Sequence, residues 1–334
     1  MTIKVGVIGC GKIGDVGHLT GYKECPNAEV IAVADVNEKA AKAMAEKYHV
    51  PRYFTDYREL LKLMEIEAVS VAVPNFLHAE MTIAACKAGK HVLCEKPMAT
   101  SIKEAKAMVE AAQKNKVLLE ICMAHRYTPQ AQAAKKVLES GMLGKINSVV
   151  SVFGSPGPEF WSPEGKWFFN KKLAMGGAMA DLGIHLIDVV RYLVGSDVAK
   201  VSGFTAIHEK KGDVDDSGVC SMMFKNGTLG TLYSSWTYKP GGMSITLFCE
   251  KGTLYFGRTP INDKPIVVQL INPPSTLIPE IAPVSEIGTR YQHFIDCIEK
   301  GKSPVTNGME GLKALEVILS VYKSMETGKV INLS

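Results

Sequence analysis

Apolar positions along the chain follow two rhythms, and the change comes near residue 125. Before it, short apolar runs alternate with stretches of helical periodicity. Strands are predicted at 3–8 ("IKVGVI"), 29–35 ("EVIAVAD"), 52–54, 68–73 ("AVSVAV"), 90–94 and 117–121 ("VLLEI"). Helices are predicted between them, at 12–24, 38–47, 56–64, 76–88 and 101–115. Apolar strands separated by amphipathic helices predict a parallel, doubly wound sheet. After residue 125, strand-like stretches follow one another at 146–154, 198–208, 217–224, 228–236, 244–250 and 252–257. "KNGT" at 225–228 centres an Asn-Gly pair, a strong hairpin signal. These runs predict a mostly antiparallel sheet, interrupted by one helix at 178–194. The expected fold class is α/β: a doubly wound domain over 1–124 and a second α/β domain over 125–334.

Composition narrows the field. The chain has 334 residues, 46% hydrophobic and 22% charged, with a formal net charge of +4. Its basic and acidic residues are interspersed, so no nucleic-acid footprint is visible. No apolar run approaches the ~20 residues of a membrane span. The N-terminus enters a strand at once, without the pattern of a secretory signal. Eight scattered cysteines with no C-x-x-C spacing read as reduced thiols in a cytoplasm, not as a disulfide framework or zinc site. No metal is expected.

The first strand runs directly into Gly9-Cys10-Gly11-Lys12-Ile13-Gly14, a G-x-G-x-x-G turn opening a helix. Gly9 suits the tight turn, Gly11 the approach of a pyrophosphate, and Gly14 the packing of helix on strand. The free N–H groups at the helix start attract phosphates. The second strand ends in Asp35, 21 residues after Gly14, the spacing expected for a carboxylate on an adenosine ribose. Such a carboxylate repels a 2′-phosphate. Val36 and Asn37 follow it rather than an arginine, so NAD is favoured, with NADP possible through Lys39. In a doubly wound sheet ligands bind beyond the carboxyl ends of the strands. Pro74-Asn75, Glu95-Lys96-Pro97 and residues 123–127 are therefore the positions to inspect.

With "PNFLHAE" at 74–80, "EKPM" at 95–98, "HRYTP" at 125–129 and "GGAMADLGIHLID" at 176–188, the chain resembles the glucose–fructose oxidoreductase / inositol dehydrogenase (Gfo/Idh/MocA) family over nearly its whole length. The resemblance implies an N-terminal Rossmann domain and a C-terminal domain with a large, open-faced, mostly antiparallel sheet. It implies NAD(P)-dependent hydride transfer on sugars or polyols, in homodimers or homotetramers. Cofactor contacts are expected at Gly9, Gly11, Lys12, Ile13, Gly14, Asp35, Asn37, Pro74, Asn75, His78, Glu95 and Lys96. The habit of related sites, with the sharp turn needed to aim Lys96, predicts a cis Lys96–Pro97 bond.

The run 176–188 places Asp181, His185 and Asp188 at i, i+4 and i+7, on one helix face. Oxidising a secondary alcohol sends a hydride to the nicotinamide and a proton to a base. Histidine suits the base, since its unperturbed pKa of roughly 6.5 lies near working pH. His185 is the expected proton carrier. Asp181 would bind a neighbouring hydroxyl or stabilise the imidazolium, and Lys96 would donate to the reacting oxygen. Asp188 is expected either to pair with Arg191 at i+3 or to touch substrate. Arg126, Tyr127, Trp161 and Trp167 join Lys96, Asp181 and His185 as expected substrate contacts. The aromatics of 155–177 fit a pocket wall, loop packing or a subunit contact equally. His18 reads as structural. Alternatives from the same fold are a glycosidase or lyase that uses NAD transiently, and a dinucleotide-binding regulator without catalysis. Strand 228–236 is partly apolar on both faces, which predicts self-association through the open sheet face.

Overall fold

The structure, a computed structural model, describes residues 2–333. The chain divides into two compact units, one made of residues up to Met123 together with Gly288–Leu312, the other of Ala124–Ile287 with the segment from Lys313 onward.

The first unit is a six-stranded sheet of β1 (Ile3–Ile8), β2 (Ala28–Ala34), β3 (Arg52–Phe54), β4 (Ala68–Val71), β5 (His91–Cys94) and β6 (Leu119–Ile121). Their order is β3-β2-β1-β4-β5-β6 and every pairing is parallel. The strands β1, β4, β5 and β6 are almost wholly buried because helices cover both faces, which is why they read as continuous apolar runs. Helices begin where a short polar side chain accepts from the first turn: Asn37 from the Ala40 amide, Asp56 from Arg58 and Ser101 from Glu104. The strand order reverses at β1, so the turns after β1, β2, β4 and β5 share one edge of the sheet.

A single cut after residue 124 misplaces the segment 288–312. The helix Arg290–Lys300 buries Tyr291, Phe294 and Ile295 in one core with Leu19, Tyr22 and Val33 of the first unit. The Ile121 amide donates to the Thr306 carbonyl at 2.8 Å, continuing the bonding of β6.

The second unit is built on nine strands: β7 (Ile146–Gly154), β8 (Val198–Ala206), β9 (Ser217–Phe224), β10 (Leu229–Ser235), β11 (Gly242–Cys249), β12 (Gly252–Gly257), β13 (Ile266–Ile271), β14 (Pro274–Leu277) and β15 (Ile331–Asn332). Their order is β14-β13-β12-β11-β7-β10-β9-β8-β15, antiparallel except for the parallel pair β7–β10. One face packs against the helix Ile184–Val194, whose Leu186, Val189 and Leu193 are buried. The other face alternates outward Leu229, Thr231 and Tyr233 with inward Gly230, Leu232 and Ser234 on β10. The stretch Lys171–Val194 contains an 18-residue window apolar enough to cross a membrane, yet 89% of that window is buried inside the fold. Outside the sequence expectation lie the helix Pro129–Glu139, started by a Thr128 cap with Pro129 in its first turn, the helices Arg290–Lys300 and Gly308–Thr327, and the strands β13, β14 and β15.

Candidate active site

The glycine turn has the shape its sequence implies. Gly9 takes φ +105°, and a Cβ there would lie 2.3 Å from the Ala72 carbonyl oxygen. A Cβ at Gly14 would lie 2.1 Å from the Gly9 carbonyl, whereas one at Gly11 would meet nothing within 4 Å. Gly11 thus leaves its backbone open at the start of the helix, the space a pyrophosphate needs, and Lys12 beside it is exposed. Asp35 is fixed from two sides: Oδ2 accepts from the Cys10 amide at 2.8 Å and Oδ1 from the Asn37 amide at 2.8 Å. Each oxygen keeps a lone pair for a further donor such as a ribose hydroxyl. The turn, the exposed helix start and this carboxylate fit a dinucleotide.

At the end of β5, Glu95 is buried and Lys96 half-buried, and the Lys96–Pro97 bond is cis. Burial would raise the Glu95 pKa, but the hydrogen bond from His18 and the nearby charges, Arg290 among them, hold it down at about 2. His18 is fully buried, and burial pulls its own pKa down. A neutral His18 donates from Nε2 to Glu95 at 3.2 Å and accepts at Nδ1 from Ser70 Oγ at 2.9 Å, which in turn bonds Tyr22. His18, Glu95 and Cys122 could by type hold a metal ion. Both nitrogens of His18 already have partners, however, and Arg290 supplies the positive charge.

His78, an expected cofactor contact, is fully buried, with both ring nitrogens on the backbone carbonyls of Pro97 and Val73. Asn75 is buried and Pro74 half-buried.

In the second unit the segment 177–194 enters its helix through a π-helical turn, Met179–Gly183, a feature frequent at functional sites. Asp215 anchors this entry. Its Oδ1 accepts from the Gly177 amide (2.9 Å) and from the Tyr322 hydroxyl (2.7 Å), and its Oδ2 from the Met179 amide (2.8 Å). Gly177 is required there, since a Cβ would stand 1.7 Å from the Asp215 carbonyl oxygen. The Asp181 carboxylate accepts from the Trp236 indole at 3.1 Å. His185 remains partly exposed, and its ring lies edge-on to His125 with centroids 5.0 Å apart and near Phe153 at 6.3 Å. His125 falls within the 123–127 stretch marked for inspection, whereas Asp215 and Trp236 were not foreseen as site residues. Only the Asp-rich "DVDDS" run hinted at Asp215.

Asp188 is buried and forms a two-pronged ion pair with the buried Arg126 (Nε–Oδ2 2.9 Å, Nη2–Oδ1 2.6 Å). Arg191 holds Asp197 at 2.6 Å. Arg126, an expected substrate contact, lies buried in this ion pair, and Tyr127 beside it is buried. Trp167 stacks on Phe168 at 3.9 Å and Trp161 meets the same ring edge-on at 5.3 Å. Trp161 stays 41% exposed.

Known proteins share this architecture. Residues 3–123 match the oxidoreductase family with an NAD-binding Rossmann fold, and residues 131–255 match the GFO/IDH/MocA C-terminal domain. The chain is 32% identical to levoglucosan dehydrogenase of Pseudarthrobacter phenanthrenivorans over 69% of its length and 66% of that protein. It is 28% identical to myo-inositol 2-dehydrogenase of Thermotoga maritima over 99% of its length and 98% of that protein. The crystal structure of the WlbA dehydrogenase from Bordetella pertussis, in complex with NADH and UDP-GlcNAcA, superposes with a TM-score of 0.85 at 28% identity, covering 100% of this chain and 99% of that one. With the glycine turn, Asp35 and the D-x-x-x-H helix in place, the chain belongs to the Gfo/Idh/MocA family of NAD-binding oxidoreductases.

Proposed function

We propose that this enzyme moves a hydride between NAD and a secondary alcohol or ketone of a sugar or polyol, with His185 carrying the hydroxyl proton. The observation that carries the reading is the Asp181–His185 pair on a helix start pinned by Asp215, in a chain whose first unit holds a dinucleotide cradle. Relatives named for inositol and levoglucosan support the substrate class. NAD, when bound, supplies the hydride acceptor. The chain's residues do the rest. His185 accepts the proton as the C–H bond breaks. Asp181, held by Trp236, orients a neighbouring hydroxyl and steadies the charge gained by the imidazole. Lys96 positions the reacting oxygen and offsets developing alkoxide charge.

A panel of inositols, aldoses, sugar phosphates and nucleotide-linked sugars, each with NAD and with NADP and followed by reduced-nicotinamide absorbance, tests the reading. Net reduction with at least one member supports it. Product release without net reduced cofactor would replace it with transient oxidation of the kind a glycosidase or lyase uses.

We also propose a homodimer or homotetramer joined through the open sheet face, where Phe204, Val219, Leu229 and Val150 are exposed. All eight cysteines are unpaired and buried, which supports a reducing, cytoplasmic setting.

A further inference from the structure

His78 opens the helix His78–Lys87 with none of its surface exposed. Its Nδ1 lies 2.8 Å from the Pro97 carbonyl oxygen and its Nε2 2.8 Å from the Val73 carbonyl oxygen. Both partners can only accept. A neutral imidazole has a single N–H, so one of these contacts would set two lone pairs face to face. Turning the ring over does not help, because it places a C–H carbon where such contacts take about 3.3–3.6 Å. Two N–H donors satisfy both ends, and only the imidazolium has two.

The two carbonyls mark the places that matter for the cofactor unit. Val73 precedes Pro74-Asn75 in the turn after β4, and Pro97 follows Lys96 in the turn after β5. We propose that His78 is held as an imidazolium that straps these two turns together, a positioning residue for Lys96 and for Asn75. This rests on the role given above to Lys96. Burial is the largest influence on His78 and pulls its pKa below the usual histidine range, aided by Lys96 and the amino end of its own helix, so the charge has to be held against burial by the two carbonyl contacts. The Pro97 and Val73 carbonyls and the Glu95 carboxylate favour it. Glu95, ionised and next to Lys96, is the counter-charge. When His78 loses its proton, one tie opens and one of the two turns is released.

The test is nitrogen NMR of the histidine side chains in the full-length protein at neutral pH, assigned through proximity to the Ala79 amide. The expected result is that both ring nitrogens of His78 bear protons. One bare ring nitrogen would overturn the proposal, whatever the enzyme's substrate. The kinetic arm uses His78→Gln, which keeps one amide donor and releases one turn. The expected result is a loss of kcat on the order of tenfold with a raised KM for NAD, the scale of a small misplacement of a reacting group. Unchanged kcat and KM in a folded variant would also overturn it. If His78→Gln does not fold, the wild-type spectrum still decides. Failure of the sugar panel would bear on the reaction and leave the protonation result intact.

Discussion

Trp236 donates its indole N–H to Asp181 at 3.1 Å, from the residue following β10 to the π-helical turn that leads into the site helix. Both residues are buried, so this hydrogen bond fixes the carboxylate with little competition from water. Asp181 thus meets the neighbouring turn, with His185 on it, as a placed charge rather than a swinging one.

His185→Ala should lower turnover by roughly 10²–10⁴ fold, the worth of a positioned general base. NAD affinity should change little, because Gly11 and Asp35 belong to the other unit. Oxidation by the wild type should rise with pH, since a base must be unprotonated to accept. The check is the paired pH–rate profile. A His185→Ala enzyme of equal turnover and unchanged profile would move the base elsewhere, with Tyr127 and Lys96 next in line.

NAD should bind more tightly than NADP, because the Asp35 carboxylate would face a 2′-phosphate. Asp35→Asn keeps the shape and removes the charge. It should narrow the gap by roughly tenfold or more, as expected when a like-charge contact is relieved. Titration of both cofactors against both proteins decides, and tighter NADP binding by the wild type would refute the assignment.

Glu95 makes acid stability measurable at one site. Its folded pKa is depressed from 4.5 to about 2, so its contribution is present above pH 4.5 and lost as pH falls from there toward 2. Wild type should therefore melt above Glu95→Gln near neutrality, with the gap in Tm shrinking below pH 4.5. A gap that stays constant with falling pH would show that the charge is not what Glu95 contributes.

The open sheet face should hold copies of the chain together. Across it, Phe204 pairs with Val219, Val219 with Tyr233 and Tyr233 with Val152, one apolar row over four strands. The double variant Val219→Glu/Tyr233→Glu should weaken association by roughly 10²-fold, the scale of losing a central apolar anchor. Sedimentation velocity measures it. A wild type that runs as a monomer at micromolar concentration would rule out the interface.

What could be read from the sequence was local. The glycine turn, Asp35 and "EKP" each announce themselves within a few residues, and the strand–helix alternation follows from burial on both sheet faces. Asp188 shows where that reading fails. Helical spacing points only to Arg191 three residues on, whereas Arg126, 62 residues away, grips the carboxylate with two contacts. A periodicity argument sees neighbours along one helix and not the competitor arriving from another element. Asp215 is hidden in the same way, since nothing near it says that the amides of Gly177 and Met179 will need an acceptor. The helix Pro129–Glu139 was there to be read, from Thr128 before a proline at its first turn.

The return of Gly288–Leu312 to the first unit orders events during synthesis. Residues up to Met123 leave the ribosome before Gly288–Leu312, and Leu19 and Tyr22 have no complete cover until Tyr291, Phe294 and Ile295 have been made. The intervening Ala124–Ile287 is, topologically, an insertion. The dinucleotide unit is begun before the intervening segment is made and is closed only after it, so the newborn cradle waits on a stretch of chain that belongs to another unit.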